Sequence, residues 1–231
     1  MAALVSSAAL THFTDLAAAC GVNARALVAG VGLPLRCLAD ADLKVPAHLV
    51  GRLLEAAATQ GHEPAFGIRL AESRRLSNLG PLALLVRDEP TLRRALETLM
   101  HHVHMHNEAV AVQVEEHGGL VVIRTELASD DIGPLRQATE LVVGVSYRLL
   151  QVLLGTGWEP RLVCFTHAAP RSLAVHHRVL GPAVEFGHEF NGIVCNAADL
   201  DAPNPGADPV MARYSQKLLA PALAHSARFT D

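Results

Sequence analysis

Between residues 110 and 155 the apolar pattern changes period, and that change restricts the fold more than any other feature of the chain. Val110, Val112 and Val114 alternate with Ala109, Ala111 and Gln113. This period of two turns one face of a strand toward a core. His117-Gly118-Gly119 supplies a turn, and Val121 to Thr125 returns. After Pro134 the spacing becomes i, i+3, i+4, i+7. Ala138, Leu141, Val142, Val145, Leu149, Val152 and Leu153 fall on one stripe, which predicts a long helix, and Gly155 and Gly157 end it. A hairpin followed by a long one-sided helix points to a sheet layer packed on helices.

The segments on either side extend this reading. Helices are expected at 13–20, 24–29, from Pro46 to Gly61, and at 66–73, so residues 1–75 read as a helical N-terminal subdomain. Thr91 is placed to cap a helix that buries Leu92, Ala95, Leu96 and Leu99 and fades near His102–His106. Beyond the long helix come a strand at 161–166, a short helix through Val175 and Leu180, and two short strands at 184–186 and 192–195. The link Gly187–Asn191 is short enough for a hairpin between the last two. Residues 76–205 therefore read as an α+β domain with a mainly antiparallel sheet flanked by helices, and 206–231 as a linker and terminal helix. Strands do not alternate one by one with crossover helices, which argues against a doubly wound sheet.

Composition excludes several classes. Half of the 231 residues are hydrophobic, and the net charge is −4. A DNA-binding domain standing alone shows a basic patch or a high pI, and no long stretch here is basic. Cys20, Cys37, Cys164 and Cys195 are far apart with no Cys-x-x-Cys pair. They read as free, mostly buried thiols in a cytoplasmic protein. No apolar run approaches the ~18 residues needed to span a bilayer, so no membrane partner is expected.

Enzyme signatures are absent. Gly144-Val145-Ser146-Tyr147-Arg148 lacks the closing glycine of a nucleophile elbow and lies inside a predicted helix. Gly155-Thr156-Gly157 is half of a dinucleotide fingerprint with no helix after it. No catalytic residue or cofactor is expected. Leu16 to Leu27 imitates a helix-turn-helix, but its second helix offers Asn23, Arg25 and then Ala, Leu and Val. Base readout needs basic and amide side chains there, so two packed structural helices are the better reading. The run His101-His102-Val103-His104-Met105-His106 has two readings. If it is helical, His102 and His106 share a face at a possible metal-ligand spacing, as in a haem or metal sensor. The plainer reading puts these imidazoles at a fraying helix end, partly lining a polar cavity.

Several blocks resemble the arabinose-binding-type N-terminal domain of AraC-type regulators. Pro64-Ala65-Phe66-Gly67-Ile68-Arg69-Leu70-Ala71 is similar to the family's P-x-F-G-L-R-L-G block. Leu79-Gly80-Pro81-Leu82, then Glu89-Pro90-Thr91-Leu92-Arg93-Arg94-Ala95-Leu96, resembles L-G-x-L…S-P-T-L-x-x-A-L. Phe165 to Pro170 resembles F-x-H-x-x-P, Phe190 to Val194 follows the family's N-x-L pattern, and Asp201 to Pro209 matches its closing D-P segment. One departure is Leu180-Gly181-Pro182-Ala183, where the family has Phe-Gly-x-Pro.

The resemblance implies an effector-sensing, homodimerising domain that controls transcription allosterically. In this family a helix-turn-helix domain of about a hundred residues follows. None follows Asp231, so DNA contact is expected only through that absent part. Arabinose itself is not implied as the ligand. The candidate effector-binding residues are His102, His106, Tyr147, Phe165 and His167, which are polar or aromatic and lie near strand ends or on helices expected to face the sheet. His167 would serve equally well by tying the turn that follows Phe165.

Overall fold

The structure, a computed structural model, describes residues 2–128 and 135–227, the last six of these by backbone alone. Its strands are β1 (Leu4–Ser6), β2 (Lys44–Pro46), β3 (Val110–His117), β4 (Leu120–Leu127), β5 (Leu162–Phe165), β6 (Val184–Phe186) and β7 (Gly192–Asn196). The helices are α1 (Phe13–Ala19), α2 (Ala24–Gly30), α3 (Ala47–Gln60), α4 (Phe66–Glu72), α5 (Pro81–Val86), α6 (Leu92–His102), α7 (Arg136–Leu154), α8 (Ala174–Leu180), α9 (Ala197–Leu200) and α10 (Pro209–Ala227). Pro134, the expected opener of the long helix, lies outside the described residues. No described helix is long and apolar enough to cross a membrane.

The fold is α+β, as the change of period indicated. β1 and β2 pair antiparallel as a separate two-stranded ribbon. The main sheet has the order β3-β4-β7-β5-β6. The expected hairpin forms with Gly118 and Gly119 at its turn, both at positive φ. Its register sets Val110, Val112 and Val114 opposite Leu127, Thr125 and Ile123, so one face of the ribbon is apolar.

The second expected hairpin does not form. β6 pairs parallel with β5, through the crossover α8, and β7 inserts between β4 and β5, antiparallel to both. Gly192 makes the insertion possible, because a Cβ there would collide with the carbonyl of Ile123. The link between β6 and β7 is tied across the strand ends instead. The Asn191 carbonyl accepts from Thr125 N at 2.9 Å, and its side-chain oxygen accepts from Thr166 N at 2.8 Å.

Buried apolar side chains form two clusters. One is built by residues 5–71 with Leu141, around Phe13, Leu53, Leu54 and Phe66. The other joins the sheet to α5, α6 and α8, around Leu92, Ile123, Leu150, Phe165 and Ile193. Helix α7 belongs to both, giving Leu141 to the first and Val143, Tyr147, Leu150 and Leu153 to the second. A helix held between two layers is buried on more than one side, which is why its sequence stripe describes only part of its contacts. Val152, placed on the stripe, is 48% exposed.

The helix-turn-helix look-alike is a structural pair, with Ala17, Val22, Ala24, Leu27 and Val28 in the first cluster. The Pro-rich segment after Leu200 is docked rather than a free link. Asn204 Nδ2 donates to the carbonyls of Arg87 and Glu89 at 2.8 and 2.9 Å, and Asn204 N donates to Pro90 O at 2.9 Å. Beyond it α10 starts at Pro209 and rests on α5. Ser215 is buried and Leu219 packs on the second cluster, while Val210, Met211, Tyr214 and Leu218 remain exposed.

Candidate functional site

A cavity of about 140 Å³ lies where the helical layer meets the sheet. Helix α3 provides Ala47, Val50, Gly51 and Leu54, β3 provides Val110 and Val112, and β4 ends on it with Leu127. Its floor is α7, through Ala138, Leu141, Val142, Val145 and Leu149. Five of the seven positions of the sequence stripe therefore face this space. The wall is mostly apolar, and its polar groups come from Arg74, Arg75, Asn78, His106, Asn107 and Ser146.

His106 reaches the cavity because the helix before it stops early. Helix α6 ends at His102, and Val103–Met105 tightens into a 3₁₀ turn. The chain is then pinned from the N-terminal ribbon: Ser6 N donates to His106 O at 2.8 Å, and Glu108 N donates to Leu4 O at 2.9 Å. Lys44 Nζ donates to Met105 O at 2.5 Å and to His106 O at 3.3 Å. Burial, with the positive charges of Lys44 and Arg74 nearby, lowers the His106 imidazole to about 4. It is therefore neutral at pH 7.

Arg74, just past α4, is 5% exposed. Nη1 donates to Ala8 O at 2.7 Å and Nη2 donates to Ala9 O, which closes the 3₁₀ turn Ser7–Leu10 over the cavity. Its Nε is buried with no partner among the described residues, and burial lowers the guanidinium to about 10. Sequence reasoning missed this residue. Ser73-Arg74-Arg75 after a short apolar helix has the look of a solvated basic helix end, and no local signal announces that an earlier turn covers it.

The other predicted residues stand apart from the cavity. His102 is half-buried at the end of α6, its ring edge-on to His101 with centroids 5.2 Å apart. Burial, then the neighbouring His101 and His104, lowers its pKa. Since α6 stops at His102, no continuous helix puts His102 and His106 on one face. Among the described residues no three His, Cys, Asp or Glu side chains are arranged to hold a metal, and the sensor reading built on this run is not supported. Tyr147 faces the second core cluster, where its hydroxyl accepts from Gln151 Nε2 at 3.0 Å and its ring lies 6.2 Å from that of Trp158.

Phe165 and His167 belong to a second polar centre. Glu140 of α7 is fully buried. Its Oε1 lies 3.0 Å from Arg136 Nε, 3.4 Å from His167 Nε2 and 3.2 Å from His176 Nε2. The rings of Phe165 and Phe186 stack at 5.3 Å and pack against both imidazoles. Burial lowers the His167 pKa, opposed by the Ala168 carbonyl and the Glu140 carboxylate. The arrangement joins β5 and α8 to α7.

Residues 21–204 match the family described as the arabinose-binding domain of AraC transcription regulator, N-terminal. The HTH-type transcriptional regulator VirS of Mycobacterium tuberculosis, in strains CDC 1551 / Oshkosh and ATCC 25618 / H37Rv, is 30% identical over 170 residues. That alignment covers 73% of this chain and 50% of VirS, so the chain spans about half the length of the curated relatives it matches. Among solved structures, the transcriptional regulator CdpR of Pseudomonas aeruginosa superposes with a TM-score of 0.62 at 18% identity. It covers 84% of this chain and 60% of CdpR, and at that identity the likeness concerns the fold.

Proposed function

We propose, from the premise that this chain belongs to the arabinose-binding N-terminal domain family of AraC transcription regulators, that it senses a small-molecule effector in the cavity above α7 and passes the signal to a DNA-binding domain. The observation that carries this reading is the position of the cavity. It is walled by the helical layer, by β3 and β4, and by α7, the helix shared between the two core clusters. A ligand there touches both halves, and any ligand that prefers one arrangement of the halves shifts their equilibrium by its difference in affinity. Residues 1–75 are the helical N-terminal subdomain and 76–205 the effector-sensing domain in this reading, and 206–231 lead toward the partner domain.

DNA recognition is assigned to a helix-turn-helix region outside the matched half, in keeping with the name of VirS, and the site of action is then the cytoplasm. The protein works as a homodimer, since paired half-sites call for two linked DNA-binding domains. The exposed Val210, Met211, Tyr214 and Leu218 of α10 offer an apolar strip for that contact.

A metabolite screen by thermal shift tests the sensor role. A ligand that binds only the folded chain raises its stability by about 2.7 kcal/mol at a hundredfold excess over Kd. Val142→Phe, which fills the cavity from its floor, should abolish that gain while the variant stays folded. Stabilisation that survives Val142→Phe would place the ligand elsewhere.

A further inference from the structure

The chemistry of the cavity wall says what kind of molecule it takes. This step rests on the effector reading above. Its polar lining includes two arginines and one neutral histidine, and among the described residues no Asp or Glu lines it. Lys44, held against the carbonyl of His106, adds a third positive charge close by. Arg74 is the buried member of this set. It makes no ion pair with a carboxylate among the described residues, two of its N–H groups are used on the carbonyls of Ala8 and Ala9, and its buried Nε–H is unmatched. A buried charge without a counter-ion is costly to fold around, and an unpaired buried donor adds to that cost.

We infer that the cavity binds a compact monoanion, with an apolar body about the size of one aromatic ring and a single carboxylate that Arg74 receives. The volume agrees with such a body: the cavity is about 140 Å³, and an apolar cavity of about 150 Å³ holds benzene. The apolar surfaces of Val50, Leu54, Leu141, Val142 and Leu149 face the ring. A free sugar suits this wall poorly, because most of its hydroxyls would be buried against aliphatic carbon without partners. A cation is disfavoured by Lys44, Arg74 and Arg75.

Matched acid and amide pairs test the assignment. Phenylacetate against phenylacetamide, and cyclohexanecarboxylate against its amide, keep the shape and change only the charge. In calorimetric titrations of the whole chain, each acid should bind at least about tenfold more tightly than its amide, the ratio typical of a charge-assisted hydrogen bond. Arg74→Met should remove that ratio. In the wild type, the Arg74 Nε–H resonance should move downfield with the acids and stay in place with the amides, a readout that holds even if the Met variant folds poorly. Acids and amides binding equally, with both lost in Val142→Phe, would overturn the anion assignment and leave the sensor cavity standing. An acid preference that persists in Arg74→Met, or an unmoved Nε–H resonance, would also overturn it. If no member of either pair binds, the ring-sized anion falls, and the metabolite screen alone then decides the sensor role.

Discussion

The backbone N–H of Gly67 donates to the side-chain oxygen of Gln137 at 2.7 Å, and a Cβ on Gly67 would collide with the backbone carbonyl of the same Gln137. Two turns further along α7, a Cβ on Gly144 would sit 2.5 Å from Ala71 Cβ. Helices α4 and α7 thus cross at two glycines, and side-chain-free contact is what lets α7 lie against both layers.

Gly67→Ala reverses an ordinary rule. Alanine in a helix interior is favoured over glycine by about 1 kcal/mol, yet here it should destabilise by about 1–3 kcal/mol, the cost of overpacking. Gly30→Ala, at the end of α2 with nothing within 4 Å of the new methyl, is the control and should be neutral or slightly stabilising. Urea denaturation of the two variants beside the wild type checks the pair of signs.

Acid should weaken the fold through His106. An unfolded histidine takes up its proton near pH 6.5, whereas folded His106 does so only at about 4. Between those values the unfolded chain binds more protons, so stability falls as pH drops, by up to about 1.4 kcal/mol per pH unit for one such group. Above pH 6.5 both states are neutral and the contribution vanishes. His167, also lowered chiefly by burial, acts in the same direction. The slope of stability against pH from 6.5 to 4 should be shallower in His106→Gln than in the wild type, with the two curves parallel above pH 7.

One oxygen of Glu140 accepts a hydrogen bond from Arg136 and lies within 3.4 Å of two imidazole nitrogens that have no hydrogen-bond partner among the described residues. Glu140→Ala leaves those groups facing a void and should cost on the order of 3 kcal/mol. Glu140→Gln, which keeps a polar neighbour for both rings, should cost less. The wild-type fluorescence of Trp158, past the C-terminal end of α7, gives a probe of unfolding that does not report on the mutated site. Equal stability of all three proteins would show that the centre contributes nothing.

The strip on α10 predicts the assembly. The chain should scatter light at micromolar concentration as about twice its mass of 24.6 kDa. Tyr214→Glu with Leu218→Glu, both at exposed positions, should return it to one chain without loss of thermal stability. Wild-type protein that stays at a single chain's mass on concentration would remove this contact from the dimer.

What could be read from the residues alone was local. Thr91 caps α6 by accepting from Arg94 N, as its place before an apolar period indicated. The long stripe was legible because helical spacing repeats over about four turns, and most of it marks the cavity floor. Strand order was not legible. It depends on Gly192 meeting Ile123 across the sheet, a fit between residues far apart in sequence. Of the candidate site residues only His106 lines the cavity. Phe165 and His167, aromatic and polar side chains at a strand end, pack instead on each other at the Glu140 centre. Arg74 carried no mark, because what buries it is a turn some sixty-five residues earlier.

The place of β7 also bears on how the chain is made. It is spatially central, with β3 and β4 on one side and β5 and β6 on the other, yet among the described strands it is the last to leave the ribosome. Until Gly192–Asn196 emerges, β4 and β5 each present an open edge, and open edges invite pairing with other chains. The two half-sheets have no direct ladder between them without it. A nascent chain arrested before residue 192 is therefore two unfinished ribbons rather than a smaller version of the domain, and Gly192–Asn196 is the segment that joins them into one sheet.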